Sequence, residues 1–169
     1  MPNWCQNILK ISGPEVAMHA FLGKSEDRRF SLETYYPYGT PDGEWDYDWC
    51  VKNWGTKWDV SENGSMMMLG AAGAQMPVSS TYMMAKLNGA TVEGSKLLNT
   101  EVTFLTAWGP PTEGISHIAK QHLELSFELI YFEAGHGFAG RLTVNSDGET
   151  SEGLDPETAV ADFGFEYIF

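Results

Sequence analysis

The sequence has few cysteines and no long apolar run, and both absences narrow the class of protein. Of its 169 residues only two are cysteine, Cys5 and Cys50, and both have apolar neighbours. We expect two buried, reduced thiols, as in a cytoplasmic protein, rather than a disulfide framework. No stretch approaches the roughly 18 apolar residues of a membrane-spanning helix. The first residues also lack the basic segment and apolar run of a signal peptide. These absences predict a cytoplasmic protein with no membrane association.

Basic residues are also scarce. Ten lysines and arginines stand against 23 aspartates and glutamates, which gives a formal net charge of −13, and no basic residue follows Arg141. Such a surface repels nucleic acid unless a local basic patch overrides it, and the basic cluster at 24–29 is interrupted by Glu26 and Asp27. Direct nucleic-acid binding is therefore not expected. The acidic C-terminal stretch either confers solubility or attracts a basic partner.

Aromatic residues, by contrast, are abundant. They make up 13% of the chain, and six of them are tryptophan. Because each large ring buries much surface, this composition predicts a well-packed aromatic core. The length suits a single domain spanning residues 1–169, which can bury about 70% of the surface of its unfolded chain. Such a domain needs neither a disulfide nor a metal to stay folded.

The first part of the chain predicts a strand followed by a helix. Residues 5–12 alternate in polarity, as a half-buried strand does. Ser12, with Glu15 three residues later, fits a capping box, and Pro14 is tolerated in a first helical turn. The apolar stripe of this helix is expected to comprise Val16, Ala17, Ala20 and Phe21.

A second helix is predicted from Asp46 to Trp54, and Gly55 is a natural residue to end it. Four residues fall at the spacing of one helical face. They are Tyr47, Cys50, Val51 and Trp54.

The second half of the chain alternates between strand and helix signals. Thr112 is expected to cap a short helix that carries Ile115, Ile118 and Ala119, and Asp155-Pro156 is expected to cap a short last helix. A turn is expected at 135–137. The predicted strands are 101–108, 123–131, 138–144 and 163–169. This order predicts an α+β fold with a split β-α-β sheet, ferredoxin-like in outline, with its short helices on one face.

Composition changes sharply at 61–100, where charges are few and methionine is frequent. Neither the strand period nor the helix period is sustained, so we interpret this stretch as a long, weakly structured insertion, such as an irregular hairpin. Its candidate partner-binding residues are Met66, Met67, Met68, Met83 and Met84. Flexible methionines can adapt to a partner, or can fold back onto the domain, and both interpretations stay open.

The tryptophan-rich segment 49–58 is a second candidate site. Trp54 and Trp58 could wall an apolar slot for a small ligand or peptide, with Trp108 near this cleft. Asn53 and Thr56 could form hydrogen bonds there, and Lys57 could supply a cation. The competing interpretation is that Trp49, Trp54 and Trp58 are core anchors, because large aromatic residues bury readily.

Patterns that would indicate a metal or a nucleophile are missing. Glu113 and His117 could share a helix face, but His122 lies too far along to join them, so three ligands do not converge. The acidic run 42–48 lacks the glycine and the closing glutamate of a calcium loop. No Gly-x-Ser-x-Gly elbow and no local cysteine signature occurs. We therefore expect no metal, no cofactor and no assignable catalytic residue, although enzymatic activity stays open.

Four strings of the sequence point to a known family. They are Met1–Cys5 with Asn7, Trp49–Asp59, Phe104–Pro111, and Tyr131–Gly135 with Phe138–Gly140. Together they resemble the YubB-type (Api-like) family, which carries a ferredoxin-like domain and is found on bacterial plasmids and phages. The resemblance covers 1–59 and 101–144 and leaves out the insertion and the acidic tail. Gly109 stands where the family pattern has a serine.

The resemblance implies an accessory protein of a mobile element in a bacterial cytoplasm, and it implies no catalytic residues. The leading hypothesis is a non-enzymatic protein that binds a host or phage protein through the insertion, the acidic surface or both. Inhibition of a defence protein or of a nucleic-acid-handling protein would be one use of such binding. The alternatives are a small-molecule or nucleotide-binding module, or an enzyme, with the tryptophan-lined cleft, and a homo-oligomer formed through the insertion.

Overall fold

The protein is built on an antiparallel sheet to which the start, middle and end of the chain all contribute. A computed structural model describes residues 3–25, 28–60, 68–71 and 96–167, with the backbone alone described at 68–71. Its strands are β1 (Trp4–Pro14), β2 (Met68–Ala71), β3 (Leu97–Ala107), β4 (Ser126–Glu133), β5 (Phe138–Asn145) and β6 (Gly148–Leu154). Its helices are α1 (Glu15–Leu22), α2 (Leu32–Tyr35), α3 (Tyr47–Trp54), α4 (Thr112–Lys120) and α5 (Pro156–Phe163).

The strands lie in the order β2-β3-β1-β4-β5-β6, and each neighbouring pair is antiparallel. β1 is therefore central, and its Leu9 lies opposite Val102 on one side and Leu129 on the other. Apart from α2 and α3, which lie between α1 and β2, the succession β1-α1-β2-β3-α4-β4 is the β-α-β-β-α-β arrangement of ferredoxin-like folds, with β5 and β6 added beyond β4. The predicted ferredoxin-like α+β fold is confirmed.

The two faces of the sheet carry separate apolar clusters. The larger cluster joins Leu9 and Phe127 to residues of the first four helices, such as Phe21 and Ile115. The smaller cluster lies on the opposite face, where Ala159 of α5 is grouped with strand residues. Those strand residues include Ile8, Ile130, Phe132 and Ala139. Short helices cover one face as predicted, and α5 covers the second face in addition, because alternate residues of β4 and β5 are apolar on both sides.

The segment interpreted as an insertion contributes to the sheet. β2 lies inside 61–100 and pairs with β3, with Met68 opposite Glu101, and β3 begins at Leu97 rather than after residue 100. Pairing between backbone groups does not require a period in the sequence, so an edge strand can form where the composition shows none.

The beginning of α1 differs from the prediction. Ser12 lies in β1, opposite Asn99 and Ser126, and α1 has no side-chain hydrogen bond at its N-cap, Pro14. The predicted capping box is therefore wrong. The predicted apolar stripe is only partly correct. Phe21 is buried and Ala17 packs against the core, but Val16 is 76% exposed and Ala20 is also exposed. The helix buries Met18 and Leu22 in addition.

The ends of α3 agree with the prediction. The side chain of Asp46 accepts a hydrogen bond from the Trp49 N–H at 2.7 Å, and Gly55 ends the helix with a φ of +83°. The predicted inward face is only half correct, because Cys50 and Trp54 are buried while Tyr47 and Val51 are exposed.

The C-terminal elements were predicted in part. Ile115, Ile118 and Ala119 of α4 are buried as expected, although Thr112 lies inside the helix and does not cap it. Asp155 caps α5 through the Thr158 N–H at 2.9 Å. The predicted terminal strand at 163–169 is wrong over its described residues. Phe163 ends α5, and Phe165 lies in an irregular segment and packs into the smaller apolar cluster. No helix among the described residues is long and apolar enough to span a bilayer.

One surface carboxylate ties α4 to the edge strand β6. Glu149 accepts a hydrogen bond from the Ser116 hydroxyl at 2.6 Å and lies 2.8 Å from the Lys120 Nζ. The hydrogen bond from Lys120, and then the one from Ser116, lower the pKa of Glu149 below its ordinary value. A carboxylate with a lowered pKa in the folded state stabilises the fold above its unfolded-state pKa, and this contribution is lost as the pH falls through the lowered value.

We therefore expect Glu149→Gln to reduce the free energy of unfolding at neutral pH by less than about 1 kcal/mol, since the pair is partly exposed. The difference from wild type should shrink as the pH falls into the acid range. Urea unfolding at several pH values measures it, with the exposed Glu124→Gln as the matched control. A difference that does not depend on pH would contradict this account.

Candidate functional site

The tryptophans predicted to form one cleft are divided by the structure. Trp54 is fully buried; its Nε1 donates to the Tyr36 carbonyl oxygen at 2.9 Å, and its ring packs against Tyr38 and Trp49. It cannot contact a ligand, so its assignment to the site is corrected to a core residue. Trp58 and Trp108 are 38% and 45% exposed.

The exposed rings belong to a continuous patch at one end of the sheet, which we call the tryptophan surface. It consists of Trp45, Tyr47, Lys57, Trp58 and Trp108. The Trp45 Nε1 donates to the Lys57 carbonyl oxygen at 3.1 Å, and the ring centroids of Tyr47 and Trp108 lie 6.0 Å apart. Trp4 is half-buried next to the patch, and its ring centroid lies 6.4 Å from that of Trp58. Trp45 and Tyr47 were not predicted as site residues.

Lys57 joins the two predicted aromatic residues of this surface. Its Nζ lies 4.4 Å from the ring centroid of Trp58 and 4.7 Å from that of Trp108. Both distances are within the range of an attractive cation–π interaction. Lys57 and the two indoles are thus brought together as the sequence predicted, but at the protein surface rather than around a cleft with Trp54.

The segment that carries Lys57 and Trp58 is fixed by the end of α3. Gly55 turns the chain in the left-handed region, and a side chain there would clash with the carboxylate of Glu113. The Thr56 hydroxyl, which is buried, then donates to the Ala107 carbonyl oxygen at 3.0 Å. The segment after α3 is therefore attached to the end of β3, directly beside Trp108.

Trp108 itself has an unfavourable backbone conformation. Its φ is +73°, a region that a bulky residue enters only at an energetic cost. Two hydrogen bonds hold the turn: the Trp108 N–H donates to the Asn3 carbonyl oxygen at 2.8 Å, and the Thr106 hydroxyl donates to the Gly109 carbonyl oxygen at 2.8 Å. In this backbone conformation the Trp108 indole is exposed at the protein surface, next to Lys57.

Buried polar side chains lie beneath this end of the sheet. The Asn7 Nδ2 donates to the Thr106 hydroxyl oxygen at 2.8 Å and to the Cys5 carbonyl oxygen at 2.9 Å. Glu133, which is 1% exposed, accepts hydrogen bonds from the N–H groups of Gly135 and His136, both at 2.7 Å. These contacts fix the ends of β1, β3 and β4, and with them the base of the tryptophan surface.

The two cysteines are poorly suited to nucleophilic chemistry. Burial, and then the charge of Glu133, raise the pKa of the Cys5 thiol far above its ordinary value. Burial likewise raises the pKa of the Cys50 thiol. Because the thiolate is the reactive form, both thiols are expected to be inert at neutral pH.

The histidines are dispersed over the molecule. His117 stacks on Tyr36 with ring centroids 3.6 Å apart, whereas His122 packs edge-on against Phe21. His136 lies at the turn after β4, where its Nδ1 is 2.8 Å from Glu133. Among the residues that the structure describes, no three His, Cys, Asp or Glu side chains converge as metal ligands.

Two grooves open on other parts of the described surface. One, of about 280 Å³, lies on the second face of the sheet between β1, β3 and the residues after α5. The other, of about 320 Å³, lies between α4 and the strands and is lined by Glu113, Ser116, Tyr131 and Glu149 among others. Neither is lined by Trp58 or Trp108, so neither corresponds to the predicted ligand cleft.

The side chains of the five methionines in the predicted site are not among those that the structure describes. Met66, Met67, Met83 and Met84 lie outside the described residues, and Met68 is described only as a backbone position in β2. Partner binding through these methionines therefore stays a prediction.

Comparison with known proteins supports the fold. Residues 91–166 match the family model described as the ferredoxin-like domain in Api92-like protein. The match supports the ferredoxin-like fold, of which these residues form the part from β3 onward. The match runs from before β3 to after α5, so it includes the acidic tail that the sequence resemblance left out. Of the tryptophan surface it contains Trp108 alone. No curated protein and no solved structure matches the chain.

Proposed function

We propose that this protein is a non-enzymatic accessory protein that binds another protein through its tryptophan surface. The observation that carries the proposal is the exposure of Trp45, Tyr47, Trp58 and Trp108 side by side around Lys57. Tryptophan and tyrosine are enriched at the energetic centres of protein interfaces, where they bury large rigid rings at little cost in conformational entropy. A cluster of exposed large rings is also rare on a surface with no partner.

The strained backbone of Trp108 supports the same conclusion. A glycine at this position would avoid the cost of a positive φ, yet the chain places a large indole there. Strained conformations of this kind concentrate at functional sites. Burial raises the pKa of the Cys5 and Cys50 thiols, which gives no corresponding support to a nucleophilic enzyme.

The resemblance to proteins of plasmids and phages makes a host or phage protein the expected partner. An acidic protein that covers the surface where another protein receives nucleic acid would inhibit that protein, since both ligands are polyanionic. A defence protein or a nucleic-acid-handling protein is the partner class that fits this use.

The proposal is tested by quantitative capture of proteins from bacterial lysate with wild-type protein and two variants. Trp58→Ala removes an exposed ring of the tryptophan surface, whereas Leu123→Ala removes an apolar side chain that is exposed as well, and that lies before β4, at the opposite end of that strand from Glu133. If Trp58 is an interface hot spot, Trp58→Ala should lower the affinity for the captured protein by about 30-fold, equivalent to roughly 2 kcal/mol.

Leu123→Ala should retain the same protein at the wild-type level. A captured protein that both variants retain equally, or the absence of any specific protein, would count against the proposal.

A further inference from the structure

The tryptophan surface is bordered by carboxylates on the segment that leads into α3. Trp45 and Tyr47 are each flanked on both sides by acidic residues in the sequence, and the whole stretch 42–48 is exposed. The acidic residues are Asp42, Glu44, Asp46 and Asp48. Within the described part of the chain, none of the four forms a salt bridge with a cation.

The contacts these carboxylates do make are local. Asp46 caps α3 through the Trp49 N–H, and Asp42 accepts the Glu44 N–H at 3.2 Å. Each hydrogen bond uses one oxygen of the carboxylate and leaves its charge unpaired. The Lys57 ammonium lies against the indoles of Trp58 and Trp108. This surface therefore combines exposed aromatic rings with an excess of negative charge.

We propose that the segment docking on this surface is basic, and that an arginine of the partner stacks on Trp45 or Tyr47. The inference rests on the proposed function and specifies the chemistry of its partner. A guanidinium is attracted to the face of an indole or a phenol ring. Its donors also match a carboxylate in a bidentate geometry, which Glu44 or Asp48 can accept beside the ring.

Charge complementarity decides between the classes of partner. The four carboxylates outnumber Lys57 and the exposed Lys52 of α3. Their excess charge attracts a basic segment and speeds its association, and it repels phosphates. A single-stranded nucleic acid could stack its bases on the same rings, but it would bring its backbone charge against the carboxylates. The structure therefore favours a basic peptide over a nucleic acid.

The test uses three probes with the intact protein: an unstructured arginine-rich peptide, the same peptide with citrulline in place of each arginine, and oligo-dT. Citrulline keeps the planar shape and removes the charge. Binding is followed by tryptophan fluorescence and by calorimetry. The arginine peptide should bind at least about tenfold more tightly than either of the other probes, and the difference should decrease with added salt.

Substitution of Lys57 tests the proposal by the direction in which the affinity for the arginine peptide changes. Lys57→Met keeps an apolar side chain between the indoles and removes the positive charge, so it should tighten binding of the arginine peptide about two- to fivefold. Lys57→Arg keeps the charge and is the matched control, with affinity near wild type. Glu44→Gln combined with Asp48→Asn should weaken binding by a similar factor.

The outcomes separate this inference from the proposed function. Equal binding of the two peptides, or no binding of the arginine peptide, overturns the inference that the partner segment is basic. The proposed protein-binding function is then still tested by the lysate experiment alone. Tighter binding of oligo-dT, or weaker arginine-peptide binding by Lys57→Met, overturns the inference because it indicates an anionic ligand.

Discussion

Replacing Trp54 by alanine is expected to lower the free energy of unfolding by about 3–5 kcal/mol, the range measured for large aromatic residues removed from protein cores. Trp54 is fully buried, and its ring centroid lies 4.8 Å from that of Tyr38 and 5.5 Å from that of Trp49. The substitution would leave a cavity and would also remove the Nε1 donor from the Tyr36 carbonyl oxygen. Urea unfolding followed by circular dichroism measures the change.

Trp58→Ala is the matched control for this prediction, because it removes the same side chain from the surface. Its cost should stay within about 1 kcal/mol, arising from the contacts with Lys57 and Trp4. The free energy of unfolding of Trp54→Phe should lie between those of wild type and Trp54→Ala, since phenylalanine fills part of the space but donates no hydrogen bond. Equal destabilisation by Trp54→Ala and Trp58→Ala would show that the division between core and surface tryptophans is wrong.

Substitution of Trp108 is expected to separate stability from binding. Trp108→Gly and Trp108→Ala both remove the indole, and each should lower the affinity for the protein partner by about 30-fold. The two variants differ in backbone strain, because glycine accepts the φ of +73° and alanine does not. Trp108→Gly should therefore be more stable than Trp108→Ala by about 1 kcal/mol, although a more flexible unfolded chain offsets part of the gain.

Chemical unfolding of the two variants, with the same capture assay as for Trp58→Ala, measures both effects. Equal stability of the two would mean that the positive φ at Trp108 carries no cost. If both variants bind the partner as tightly as wild type, Trp108 is not part of the interface, whatever the stabilities of the variants are.

Local signals were read correctly where the structure uses only local contacts. The start of α3 and the cap of α5 were predicted correctly, because the Asp46 and Asp155 side chains each accept a hydrogen bond from the N–H three residues later, and sequence spacing alone sets that geometry. The Ser12 signal of a cap for α1 is equally local, yet it failed. β1 continues through Ser12 because β3 and β4 both pair with it there.

The candidate site was predicted only in part for a similar reason. Trp54 and Trp58 are four residues apart in one tryptophan-rich segment, and nothing in their residue type distinguishes them. The left-handed turn at Gly55 separates them, so that one ring enters the core and the other lies at the surface. Trp45 and Tyr47 were missed, although the alternation of acidic and aromatic residues at 44–48 was a signal that could have indicated them.

The sequence by itself determined the fold class, most of the strands, the helix ends with local caps and the acidic character of the surface. These follow from periodicity, turn residues and charge, which act over a few residues or over the whole composition. Tertiary structure alone decided which tryptophans are exposed, which side of α1 faces the sheet, and that α5 covers its second face. Burial depends on which distant segments pack together, and contacts such as those of Trp108 with Asn3 and Lys57 join residues far apart in the chain.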